Sequence, residues 1–245
     1  MAWWFKKKVR DIPKIYSAWL LAAVPCTFIV GWGCFLTLLK LLQTTTPPSG
    51  VWLTFTAGGV GAVIVLCSFD LLRTRTLLHE LKHALVIILT GNVVKGIYVS
   101  KSGGSVNYEM AQENFHAAPI ISLAPYFFPL LSLPTLIVCC IFGAGDPQGF
   151  AFALGATLAI DLQTAFSEMR PEQTDFRKVL GGFFASALYL AGFHFMWVTV
   201  CLLWVQGGVQ AYPEALLVLL SGLMHIAKQV EPHAREIVHK AAQKQ

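Results

Sequence analysis

The feature that most constrains this chain is a series of long, nearly uninterrupted apolar runs. A membrane-spanning helix needs about 20 mostly apolar residues. Runs of this kind occupy 16–42, 51–69, 117–142, 149–167, 179–205 and, in shorter form, 211–227. In hydrocarbon every backbone N–H and C=O must be satisfied inside the protein, so such runs predict helices and not open strands. With 56% hydrophobic and 13% charged residues and a mean hydropathy of +0.62, the chain reads as an all-α integral membrane protein. One polytopic membrane domain over 1–245, with about six transmembrane helices, is the expected architecture.

The net charge of +5 points to a membrane surface and not to nucleic acid, because the cations gather at the ends of apolar runs. Lys6, Lys7, Lys8, Arg10 and Lys14 precede the first run, the 170–178 loop is basic, and so is the 228–245 tail. Six crossings put all three on one side, which the positive-inside rule makes cytoplasmic for both termini. The connections 43–50, 143–148 and 206–210, which then face the other side, contain no Lys or Arg. The first run is too long for a cleavable signal and reads as a retained anchor. The six cysteines form no C-x-x-C pair and read as packing residues.

Between the second and third runs lies a polar insert, 70–116, holding a shorter apolar helix over about 76–90. With six crossings already counted, that helix is expected to be re-entrant or half-depth. Residues 93–100 and 105–109 flank Lys101-Ser102-Gly103-Gly104, and their β-branched content around a glycine turn predicts a β-hairpin. The short helix contains His79-Glu80-Leu81-Lys82-His83. Positions i and i+4 share a helix face, so both imidazoles can reach one Zn²⁺ while Glu80 stands beside a bound water. Two histidines and a glutamate at this depth are costly unless paired or metal-bound. Lys82, three residues from His79, opposes a cation unless its side chain points away.

The stretch 78–85, the following Leu89-Thr90-Gly91 and the 93–108 hairpin together resemble the site-2 protease family of intramembrane zinc metalloproteases. The likeness is greatest to its compact bacterial branch, which lacks a PDZ domain. This resemblance implies a bacterial inner-membrane protein cleaving a transmembrane substrate in regulated intramembrane proteolysis. It also implies zinc held by His79, His83 and a later aspartate, with Glu80 activating water. Asp175, just before a helix, and Asp161, inside an apolar span, both meet the need for that third ligand. The resemblance further implies that the hairpin presents the substrate, for which Ile97 and Val99 are the expected edge positions.

Two other readings stand beside this one. A membrane protease like the CAAX prenyl endoproteases would use a glutamate, Glu168 or Glu172, as third ligand. A non-catalytic relative would serve as scaffold or subunit of a membrane assembly.

Overall fold

The apolar runs become helices in the structure, a computed structural model that describes residues 18–46, 48–100, 103–177, 179 and 181–242. The N-terminal basic cluster, Lys101, Ser102, Lys178 and Lys244 lie outside the described residues. Helices α1 (Ala18–Thr44) and α2 (Ser49–Ser68) precede α3 (Leu72–Leu89), which carries the histidine motif. The strands β1 (Val93–Ser100) and β2 (Gly103–Glu109) follow, then a 3-10 segment, Gln112–Ala117. The rest is α4 (Ala118–Phe127), α5 (Ser132–Phe142), α6 (Pro147–Glu168), the one-turn α7 (Thr174–Arg177), α8 (Gly182–Gly207) and α9 (Ala211–Ala242).

Among the described residues four helical stretches are long and apolar enough to cross a membrane, or five if α4 and α5 count as one bent span. The chain is therefore a mostly helical membrane protein with a small two-stranded sheet. Leu53, Ile64, Ile141, Phe184 and Leu217 point outward, an apolar surface suited to lipid and unusual in water.

The helices pack through glycines. A Cβ at Gly58 of α2 would overlap the Phe152 carbonyl, and one at Gly155 of α6 would overlap that of Phe55. Small residues let helix backbones approach where lipid supplies no hydrophobic drive. Gly31 abuts Phe195 and Gly192 abuts Thr27, so α1 and α8 run parallel. Gly33 abuts Leu219, and Lys40 lies 4.0 Å from Glu214, so α9 runs antiparallel to α1. Helices α8 and α9 are thus oppositely directed, and the chain reverses through Gly208, whose φ of 59° lies in the left-handed region. At that end Trp52 Nε1 donates to Gln206 Oε1 (2.7 Å), and Gln206 Nε2 donates to Thr45 Oγ1 (2.9 Å).

The single helix expected over 117–142 is instead two, α4 and α5, bent by 68°. Phe128 is extended (φ −68°, ψ 119°) because the ring of Pro129 disfavours the helical conformation in the residue before it. The freed N–H groups of Leu131 and Ser132 donate to Asp161 Oδ2 on α6 (3.0 and 2.8 Å), which meets the rule that backbone donors at membrane depth need partners. The last helix also runs on past 227, so the described part of the basic tail is helical.

Helix α3 ends at Gly91, φ 75°, where the Asn92 N–H reaches back to the Ile87 carbonyl (3.0 Å). The buried Asn92 side chain then accepts from the Ala111 N–H (3.2 Å), tying both ends of the hairpin to the motif helix. The strands pair antiparallel from Val93 with Glu109 to Ser100 with Gly103, with an irregularity at Lys95.

Candidate metal centre

Among the described residues one group of three has the spacing of metal ligands: His79, His83 and Asp175, whose ligand atoms lie within 4.8 Å of one another. The first two come from successive turns of α3, with ring centroids 5.1 Å apart. Asp175 comes from α7, a single helical turn anchored by the buried Phe176, whose ring packs on Tyr126 (4.7 Å) and Phe183 (5.2 Å). Tyr126 also donates its hydroxyl to Asp175 Oδ2 (3.3 Å) and stands edge-on to His79.

The histidines are oriented from behind. His79 Nδ1 lies 2.6 Å from Glu168 Oε2 on α6. His83 Nδ1 lies 2.7 Å from the Ile121 carbonyl on α4. Both partners are acceptors, so each Nδ1–H donates to its partner and Nε2 is the ring nitrogen left to face a metal. The Ile121 carbonyl is available because the helical donor four residues on would be Pro125, which has no N–H. Two imidazoles and a carboxylate are a donor set that suits Zn²⁺.

Glu80 is buried beside this group. Burial raises its pKa most, the neighbouring Asp175 and Glu168 raise it further, and His79 opposes them. A carboxylate shifted in this direction is a better proton acceptor than an ordinary one. Glu80 lines a cavity of about 630 Å³ together with His79, His83, Asp175, Glu168 and residues of β2. Gly104 presses against it so closely that a Cβ would lie 2.6 Å from Glu80 Cγ. Gly104→Ala is therefore expected to push the carboxylate aside, a displacement that a structure of the variant would show.

The other residues that the sequence singles out have different roles. Asp161, the alternative third ligand, is not at this group: its Oδ1 pairs with Lys82 Nζ (3.5 Å), and its Oδ2 takes the N–H groups at the start of α5. Lys82 thereby points away from the histidines and is 2% exposed. Glu168 contacts His79 Nδ1 and so stands behind a candidate ligand, while Glu172 is exposed. Ile97 and Val99 lie on β1 and do not line the cavity, whose wall is made by Gly103, Gly104, Ser105, Val106 and Tyr108 of β2. Sequence reasoning missed Tyr126 altogether, since an aromatic in an apolar run gives no sign of holding a carboxylate.

No family model, no curated protein and no solved structure matches this chain.

Proposed function

We propose that the chain is a zinc endopeptidase of the site-2 protease kind, cleaving a transmembrane protein substrate in or near the bilayer. The observation that carries this reading is the convergence of His79, His83 and Asp175 in one polar cavity with Glu80. The partner behind each histidine is the arrangement that orients metal ligands in known sites. Zn²⁺ held by these three residues would polarise the scissile carbonyl and acidify a water molecule.

The chain's own groups supply the rest. Glu80 accepts the proton of the attacking water and passes it to the leaving amine. Tyr126 keeps Asp175 in place, and β2 offers a strand along which an unwound substrate segment can add its backbone. Lys82, which by spacing could oppose a cation, pairs with Asp161 instead, and this supports the metal-bound reading over a non-catalytic scaffold. The contact between Glu168 and His79 Nδ1 favours an aspartate over a glutamate as third ligand.

The test compares membrane proteomes from cells producing the wild-type chain and Glu80→Gln. Protein termini that appear only with the wild type support proteolysis, and identical termini in both overturn it.

The antiparallel course of α8 and α9 supports counting them as two crossings and α4 with α5 as one, which gives six in all. The stretch Gly182–His225 has 44 residues, which at 1.5 Å per residue is about twice the thickness of the hydrocarbon core. Helix α3 then enters from the side that holds both termini and does not cross. Both termini are expected in the cytoplasm of a bacterial inner membrane, to be read by reporter fusions at each end. Ends on opposite faces would mean that α3 spans the bilayer.

A further inference from the structure

Helix α6 presents Asp161, Thr164 and Glu168 at spacings of three and four residues, on a single face. That face meets α3 at two heights. Near the cavity Glu168 Oε2 lies 2.6 Å from His79 Nδ1, and about one to two turns away along α6, three residues on along α3, Lys82 Nζ lies 3.5 Å from Asp161 Oδ1 and 3.3 Å from Thr164 Oγ1. Helix α3 also packs on α4 and on the hairpin, so what the contacts with α6 add is the register between these two helices. Two contacts separated along the axis set the register of α3 on α6.

The contact of Lys82 with Asp161 is itself held from two further helices. Asp161 Oδ2 accepts from Ser132 Oγ (2.8 Å) at the start of α5, and that hydroxyl accepts from Trp197 Nε1 of α8 (2.9 Å). Lys82 is 2% exposed and Asp161 6%. Burying such a pair gives little net stability, and apolar replacements are often neutral or better. Its worth is therefore in geometry.

We propose that Lys82 and Asp161 are a positioning pair for the metal centre: they set the register of α3 on α6, and that register places the Glu168 carboxylate on His79. Neither residue touches the metal or the substrate. The inference rests on the reading of His79, His83 and Asp175 as zinc ligands.

The measurement is zinc affinity of the full-length purified chain, by competition with a chromophoric chelator. Lys82→Met is the mild substitution, since Asp161 keeps its three donors from residues 131 and 132. It is expected to weaken zinc binding about 10-fold, the lower end of the effect of outer-shell partners. Lys82→Arg should restore wild-type affinity. In a Glu168→Ala background Lys82→Met should cause no further loss, because a pair that acts through Glu168 has nothing left to position. Unchanged affinity in Lys82→Met, or a full additional loss in the Glu168→Ala background, overturns the role. Should Lys82→Met fail to fold, the neutral pair Lys82→Met with Asp161→Asn carries the same expectations. A wild-type chain that binds no zinc would overturn the metal reading itself, and the positioning role with it.

Discussion

Glu80→Gln is expected to lower peptide-bond cleavage by about 10²- to 10⁴-fold, the range supplied by a positioned general base, while zinc stays bound. Glutamine keeps the size and polarity of the side chain but cannot take a proton from water. The two imidazoles and Asp175 are untouched by the change, so the metal should remain. Glu80 sits on α3 about 100° around the helix from His79 and faces the cavity wall formed by β2, which is where a substrate strand would lie. Cleavage kinetics on one confirmed substrate, with zinc measured on the same preparations, decide the matter. If the variant kept its rate, Glu80 would not be the base and the non-catalytic scaffold would become the better account.

The motif and its surroundings were legible in the sequence because their signals are local. Spacing of four put His79 and His83 on one face, and a β-branched run closed by glycines gave a hairpin whose β1 matches the expected 93–100. Facts that depend on which helices meet could not be read this way. Asp175 and Asp161 are both far from the motif in sequence, and only the packing of α7 on Tyr126 and of α6 on α3 separates their roles. Lys82 looked like an obstacle by spacing alone. Glu80 and Lys82 in fact leave α3 on opposite flanks of the His79–His83 face, about 160° apart, so one enters the cavity and the other the helix interface. Two prolines did carry readable signals that the apolar composition masked. Pro129 breaks the 117–142 run, and Pro125 frees the Ile121 carbonyl that orients His83.

The second large effect concerns the metal. His79→Ala and His83→Ala should each leave the purified chain without zinc, since a site of three protein ligands reduced to two is inadequate. Asp175→Ala should weaken zinc binding by more than about 100-fold, beyond the 10- to 100-fold typical of partners behind the ligands. Asp161 offers the informative contrast. Asp161→Ala would leave Lys82 buried without its carboxylate and two backbone N–H groups without an acceptor. Losing one member of a buried pair costs about 3–5 kcal/mol, so this variant should unfold more readily. Its zinc affinity should fall only by about the 10-fold that a positioning partner contributes. The two aspartates are thus separated by opposite balances of effect, Asp175 on metal and Asp161 on stability. Zinc titration and thermal unfolding on the same two variants read that balance directly. If Asp161→Ala lost zinc outright while Asp175→Ala retained it, the third ligand would lie on α6, and α7 would have only a structural part.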